Sequence, residues 1–285
     1  EINDIVQKIL DRLVFIRLLE DRKIIEQRTM KDIVDYWKDG KHRDIQVQLN
    51  SLFSQLNRDF NGEIFKEHSC EKINYDSSLV AEIISDLYFP KSPYDFAVIG
   101  VDLLGIIYEK YLGKTIRLTG KRVKVEEKPE IRKSGGVYYT PKWVVNYIIE
   151  NTISKLIEDK SPRDIENFRV LDPACGSGSF LIEALDCLFK DHVEYYLAHP
   201  VEAKRNELFP NLIITEDEEG TEIPRLSIYK KGEILENNIF GVDIDPQAVE
   251  ITMMSLYIKI LEGERVLPHN KELLPSLTNN INSGN

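Results

Sequence analysis

Cysteine is scarce in this chain: Cys70, Cys175 and Cys187 are three in 285 residues. None stands in a C-x-x-C spacing or beside histidines in a metal-ligand pattern, which argues against a disulfide framework and against a zinc site. That usage fits a reducing, cytoplasmic setting. Long apolar runs are missing as well. No run approaches the ~18 residues of a membrane span, and the polar, amphipathic start does not read as a signal peptide. Basic charge is in deficit, with Lys+Arg 37 against Asp+Glu 48 and a net charge of −11. Such a balance excludes bulk nucleic-acid binding by this stretch of polypeptide. The chain opens on Glu1 rather than Met, which predicts a piece cut from a longer protein.

What is present is enough for a core: 42% of the residues are hydrophobic, and 285 residues exceed one average domain. The first half reads as helical, residues 1–113. Ile5, Ile9, Leu13, Ile16 and Leu19 recur at helical spacing, and the stretch from Arg12 to Arg22 is apolar on more than one side, predicting a helix buried between neighbours. Further helices are expected over Asp32–Trp37, Ile45–Leu56, Leu79–Tyr88 and Phe96–Leu112. Residues 114–135 read as a basic linker. Eight Lys and Arg lie between Lys114 and Lys133 against three Glu, a local reversal of sign, and Ser134-Gly135-Gly136 closes it.

The most informative stretch follows. Phe168 to Leu171 reads as a buried parallel strand, ended by Asp172-Pro173. Ala174-Cys175-Gly176-Ser177-Gly178 then turns into an apolar helix face, Phe180 to Leu188. Strand, glycine turn and helix together present backbone N–H groups and a positive helix end to an anionic ligand group. Cys175 has no recognisable base partner and reads as a small turn residue. Before this block, Thr140 is expected to cap a helix with Pro141 at its first position, and the apolar pattern continues for about five turns to Ile157. After it, residues 191–234 read as an excursion containing a hairpin. Ile239 to Val242 is then a second buried strand, ended by Asp243, and Pro246 opens another helix. A carboxylate at that strand end suits ribose hydroxyls. Of Asp243 and Asp245, one is expected to face ligand and the other to cap the helix.

Taken together, these blocks resemble the N6-adenine DNA methyltransferases of restriction–modification systems, closest to the type IIG enzymes and type I modification subunits. Gly136-Val-Tyr-Tyr-Thr-Pro141 resembles their motif X, Asp172 to Phe180 their motif I, Gly241-Val-Asp-Ile-Asp-Pro246 their motif II, and Leu277 to Asn285 their motif III segment. Arg12–Arg22 and Leu103–Leu112 resemble the helical segment that precedes the methyltransferase domain in type IIG proteins. The resemblance implies an α/β fold: an all-helical N-terminal domain, then the first part of a Rossmann-like sheet over residues 136–285. It implies S-adenosylmethionine (AdoMet) as cofactor, held by Tyr139, Thr140, Pro141, Asp172, Pro173, Ala174, Cys175, Gly176, Gly178, Phe180, Asp243, Ile244 and Asn285. No metal is expected. The partner implied is double-stranded DNA, gripped mainly by the rest of a longer protein. The family's catalytic Asn-Pro-Pro-Tyr motif is absent, since no Asn-Pro occurs in the chain. No catalytic residue is therefore assigned, and the chain alone is expected to be inactive. Two rival classes are a methyltransferase acting on protein or RNA and a nucleotide-binding module without catalysis.

Overall fold

The computed structural model describes residues 2–41, 44–60, 63–100, 114–119, 122–127, 140–204, 210–216, 220–264 and 274–284. The chain divides into two compact units. One holds residues 1–104, 113–135 and 263–272; the other holds 105–112, 136–262 and 273–285. No described helix is long and apolar enough to cross a membrane.

In the first unit, α1 (Ile2–Asp21), α2 (Thr29–Lys38), α3 (Ile45–Phe60) and α4 (Ser77–Asp86) pack with two short 3-10 turns. As the two-sided apolar pattern of α1 predicted, nearly every side chain from Asp11 to Glu20 is buried. That includes charge, and burial of charge demands partners. Arg12 is fully buried, with Nε donating to Ile64 O at 2.9 Å, Nη1 to Glu71 Oε1 at 2.7 Å and Nη2 to Lys66 O. Its guanidinium also lies over the Phe53 ring. Glu20 accepts from the Tyr88 hydroxyl at 2.5 Å and from Met30 N at 2.9 Å; burial nonetheless raises its carboxyl above the ordinary range. The expected helix from Phe96 does not start there. Asp95 Oδ1 accepts from Ala97 N at 2.8 Å, a turn rather than a helical bond, and residues 101–112 lie outside the described residues.

The stretch read as a basic linker contains paired backbone. β1 (Lys114–Thr119) and β2 (Arg122–Glu127) form an antiparallel hairpin, Lys114 opposite Glu127 and Thr119 opposite Arg122. The Asn3 side chain holds the hairpin to α1, accepting from Ile116 N at 2.7 Å and donating to Ile116 O at 3.4 Å.

The second unit carries a parallel sheet in the order β3–β6–β7. β3 (Val170–Asp172) pairs Val170 with Ile239; β6 (Ile239–Asp243) pairs Gly241 with Ile281; β7 (Ile281–Ser283) ends opposite Asp243. The first strand is less buried than its apolar composition predicted. Leu171 is 61% exposed, on a strand that pairs only with β6 among the described residues. Helix α7 (Ser179–Ala198) follows β3 and touches nearly every other element of the unit. α10 (Pro246–Leu261) buries twelve of its sixteen residues, consistent with apolar residues on all sides.

Local chemistry moved several boundaries. The helix after Pro141 starts at Lys142, not Pro141: Pro141 itself is the N-cap at ψ 138°, and Thr140 makes no side-chain cap. The single long helix is two, α5 (Lys142–Asn151) and α6 (Ile153–Ile157). Thr152 Oγ1 donates back to Ile148 O at 2.6 Å, and its backbone leaves the helical region between them. The excursion after Asp191 is narrower than expected, since α7 runs on to Ala198 and a single turn, α8 (Pro200–Ala203), follows. The hairpin is β4 (Leu212–Glu216) against β5 (Glu222–Leu226). The Leu226–Tyr229 strand expected there is cut short. Ser227 Oγ accepts from Lys230 N at 3.3 Å and starts α9 (Ile228–Asn238), the helix that leads back into β6.

Candidate functional site: a glycine turn clasped by the next strand

The turn between β3 and α7 is shaped by two glycines in left-handed conformation, Gly176 at φ 54° and Gly178 at φ 86°. Only glycine adopts such angles without strain. Gly178 is the N-cap of the 20-residue α7 and supplies no side-chain cap. The first-turn N–H groups of α7 thus receive no bond from their own cap, which leaves the helix end suited to an anion. At the foot of the turn, Asp172 Oδ1 accepts from Ala174 N at 3.1 Å. Pro173 and Ala174 are exposed, while Phe180 is half-buried.

The strand-end acid arrives from 67 residues away. Asp243 Oδ2 accepts from Gly176 N at 2.9 Å. Its other oxygen accepts from Asp245 N at 2.8 Å, and Asp245 in turn caps α10 by accepting from Gln247 N at 3.0 Å. Of the two acids, Asp245 is the one that caps the helix, and Asp243 is turned to the glycine turn. Cys175 N donates to Val242 O at 2.9 Å, a second tie between the turn and β6. Asp172 and Asp243 lie close enough to repel. Burial first, and that repulsion as well, push the Asp172 carboxyl above its ordinary range against the bond from Ala174 N. Ile244, beside Asp243, is 74% exposed, an apolar surface next to two carboxylates.

Cys175 is no nucleophile in this setting. It is 4% exposed, and burial pushes its thiol up to about 12. Its sulfur instead fills space against Gly241. A Cβ on Gly241 would lie 2.7 Å from Leu181 Cδ1 and 3.1 Å from Cys175 Sγ.

Thr140 and Pro141 directly precede α5. Lys142 Nζ meets Glu183 Oε1 at 2.8 Å, which brings the start of α5 alongside the first turns of α7. Tyr139 and Asn285 lie outside the described residues. Three residues packed around the turn and its neighbouring strand had no role assigned from the sequence: Gly241, Thr252 and Asn280. Asn280 is buried; its Nδ2 donates to Glu236 O and Ile239 O, and its carbonyl accepts from Gly241 N at 2.8 Å. A polar amide directly before the apolar start of β7 was the available signal. Two cavities, of about 300 Å³ between α5, α6 and α7 and about 650 Å³ around Arg163, Tyr229 and Glu202, contain none of the turn residues.

A glycine turn after one parallel strand, tied to an acid at the end of the next, lies at the carboxyl ends of the strands, where open α/β sheets commonly take ligands. The chain belongs to the N-6 DNA methylase family, whose model matches residues 100–280. It is 32% identical over its whole length to RM.Eco57I of Escherichia coli, described as a type II restriction enzyme and methyltransferase, and covers 27% of that protein. It is 29% identical over 67% of its length to the MjaIX type I methylase subunit of Methanocaldococcus jannaschii, covering 22% of it. The chain therefore spans about a quarter of the length of these relatives. A solved structure of the type IIL restriction–modification enzyme MmeI with DNA matches at 17% identity and a TM-score of 0.48, over 94% of this chain and 37% of that one.

Proposed function

We propose that this chain is the AdoMet-binding portion of a site-specific adenine-N6 DNA methyltransferase of a restriction–modification system. In this reading its second unit is the first part of a Rossmann-like methyltransferase sheet. The observation that carries it is the 2.9 Å bond from Gly176 N to Asp243, which brings the acid of one strand onto the glycine turn of another. The donor set fits the cofactor. The uncapped start of α7 suits the cofactor's carboxylate. Asp243 accepts from ribose hydroxyls, and exposed Ile244 offers an apolar face to the adenine. The pair Asp172 and Asp243 favours a ligand carrying positive charge, because a nearby cation relieves the repulsion between them. Thr140 and Pro141 line the methionine end. When bound, AdoMet supplies an activated methyl group on its sulfonium; this chain's residues hold and orient it. The acceptor in the parent protein is an adenine taken out of the duplex stack. With no Asn-Pro-Pro to hold that base, the chain by itself does not methylate DNA.

Calorimetric titration with AdoMet and, separately, NAD tests the cofactor. AdoMet binding that Asp243→Ala weakens by about tenfold, the worth of one charge-assisted hydrogen bond, is the expected result. Binding of NAD but not AdoMet would refute the reading. Methyl transfer to DNA by the isolated chain would refute the claim of inactivity.

A further inference from the structure

Gly176 is gripped through both of its backbone polar groups, which belong to successive peptide units. Its N–H donates to Asp243, as described. Its carbonyl accepts from Thr252 Oγ1 at 2.8 Å. Thr252 sits in α10 and is 0% exposed, so it cannot itself touch a ligand at the turn. The same side chain also limits Gly178: a Cβ there would lie 2.9 Å from Thr252 Cγ2. One buried residue thus fixes a main-chain carbonyl with its hydroxyl and backs the next glycine with its methyl.

We infer that Thr252 is a positioning residue of the cofactor turn, which keeps the Gly176 carbonyl oxygen turned into the protein and away from the ligand's carboxylate. The reason is electrostatic. A peptide unit is a rigid dipole, and in a glycine-rich turn little besides hydrogen bonding resists its rotation. Rotated outward, the carbonyl would set a partial negative charge beside an anionic ligand group at the place where the helix end favours it. The hydroxyl of Thr252 removes that option by giving the oxygen a buried donor. A buried carbonyl left without its donor carries its full desolvation cost, so losing the hydroxyl favours the outward orientation. The inference rests on the AdoMet reading, since it needs a ligand with a carboxylate at the turn.

The test compares two ligands on the intact chain. AdoMet carries the amino-acid carboxylate; 5′-methylthioadenosine keeps the nucleoside and lacks the amino-acid part. Thr252→Val retains the shape but puts a methyl where the hydroxyl was, too close to the Gly176 oxygen. It is expected to weaken AdoMet by about tenfold while methylthioadenosine changes by less than about twofold, the difference being one buried hydrogen bond. Thr252→Ser restores the hydroxyl and is expected to restore the preference for AdoMet over methylthioadenosine. If T252V melts below the assay temperature, Thr252→Ala, which also lacks the hydroxyl, is titrated instead. Equal weakening of both ligands would show a merely structural role and overturn the inference, as would unchanged AdoMet affinity in T252V, or in T252A in its place. Failure of the wild-type chain to bind AdoMet would instead overturn the cofactor reading.

Discussion

Gly241 is the position where a single methyl group should reveal how the site is held together. It lies in the middle strand, opposite Asp172 on one side and Ile281 on the other. Gly241→Ala places a Cβ 2.7 Å from Leu181 Cδ1, where an ordinary contact needs well over 3 Å, so something must move. Leu181 is 0% exposed and Cys175 4%, so neither can swing into solvent. Overpacking of this kind costs about 1–3 kcal/mol. Leu181→Ala alone should cost about 2–5 kcal/mol through lost burial and a cavity. In the double variant the new methyl enters space vacated by the leucine. The clash with Leu181 disappears while the 3.1 Å approach to Cys175 Sγ stays, so the pair should cost less than the two single variants added together, a coupling of at least about 1 kcal/mol. Unfolding of a two-unit chain need not be two-state, so the assay is hydrogen exchange of peptides from β6 and α7 across a urea series. Costs that add to within about 0.5 kcal/mol would refute the reasoning.

Three more outcomes are expected. His192 is buried, its ring at 2.8 Å from Leu188 O through Nδ1, and burial lowers it from 6.5 to about 4; its neighbour Asp191 is raised by burial from 3.8 to about 6. Between pH 6.5 and 4 the unfolded chain binds the His192 proton that the native chain refuses, so that contribution to stability falls as pH falls, by up to about 3 kcal/mol. Asp191 acts oppositely, losing its contribution as pH rises from about 4 to 6, so it offsets part of the His192 slope there. Asp191→Asn should expose a rise in stability from pH 4 to 6, read as urea midpoints at each pH, and a flat profile in that variant would contradict the assignment. Asp245→Ala removes the α10 cap and should cost about 1 kcal/mol, measured by exchange in the first turns of that helix. Arg12→Met strips donors from Ile64 O, Lys66 O and Glu71 at once and should cost the first unit at least 3 kcal/mol, seen as exchange throughout α1 and α3.

Much of the site could be read from residue order because it is built from local rules. Asp-Pro ends a strand, two glycines take positive φ, and Asp245-Pro246 caps and opens a helix; each depends on neighbours a few residues away. Helix α1 was equally readable, since an apolar pattern wider than one face implies neighbours on several sides. What escaped depends on contacts between distant segments. Thr252 looked like one polar residue on a buried helix, and its role appears only when α10 is laid beside the turn. Gly241 looked like a strand residue with no side chain, and nothing local says that Leu181 needs the room. The basic stretch of residues 114–127 was read by its charge, but pairing of β1 with β2 is set by backbone register, which net charge does not encode. Leu171 was assigned to a buried strand because its side chain is apolar, whereas it is exposed on a strand that has one partner among the described residues.

The clasp between Gly176 and Asp243 also orders events in time. The two strand ends are separated by the crossover that carries α7, the β4–β5 hairpin and α9, so Asp172 and Asp243 are 71 residues apart, 243 − 172. At ribosomal rates of about 5–20 residues per second, the turn is synthesised roughly 4 to 14 s before the acid that secures it. Through that interval the glycine turn has neither its donor-side nor its acceptor-side restraint, since Thr252 follows Asp243. Full restraint of the turn is thus a late event of synthesis, tied to completion of α10.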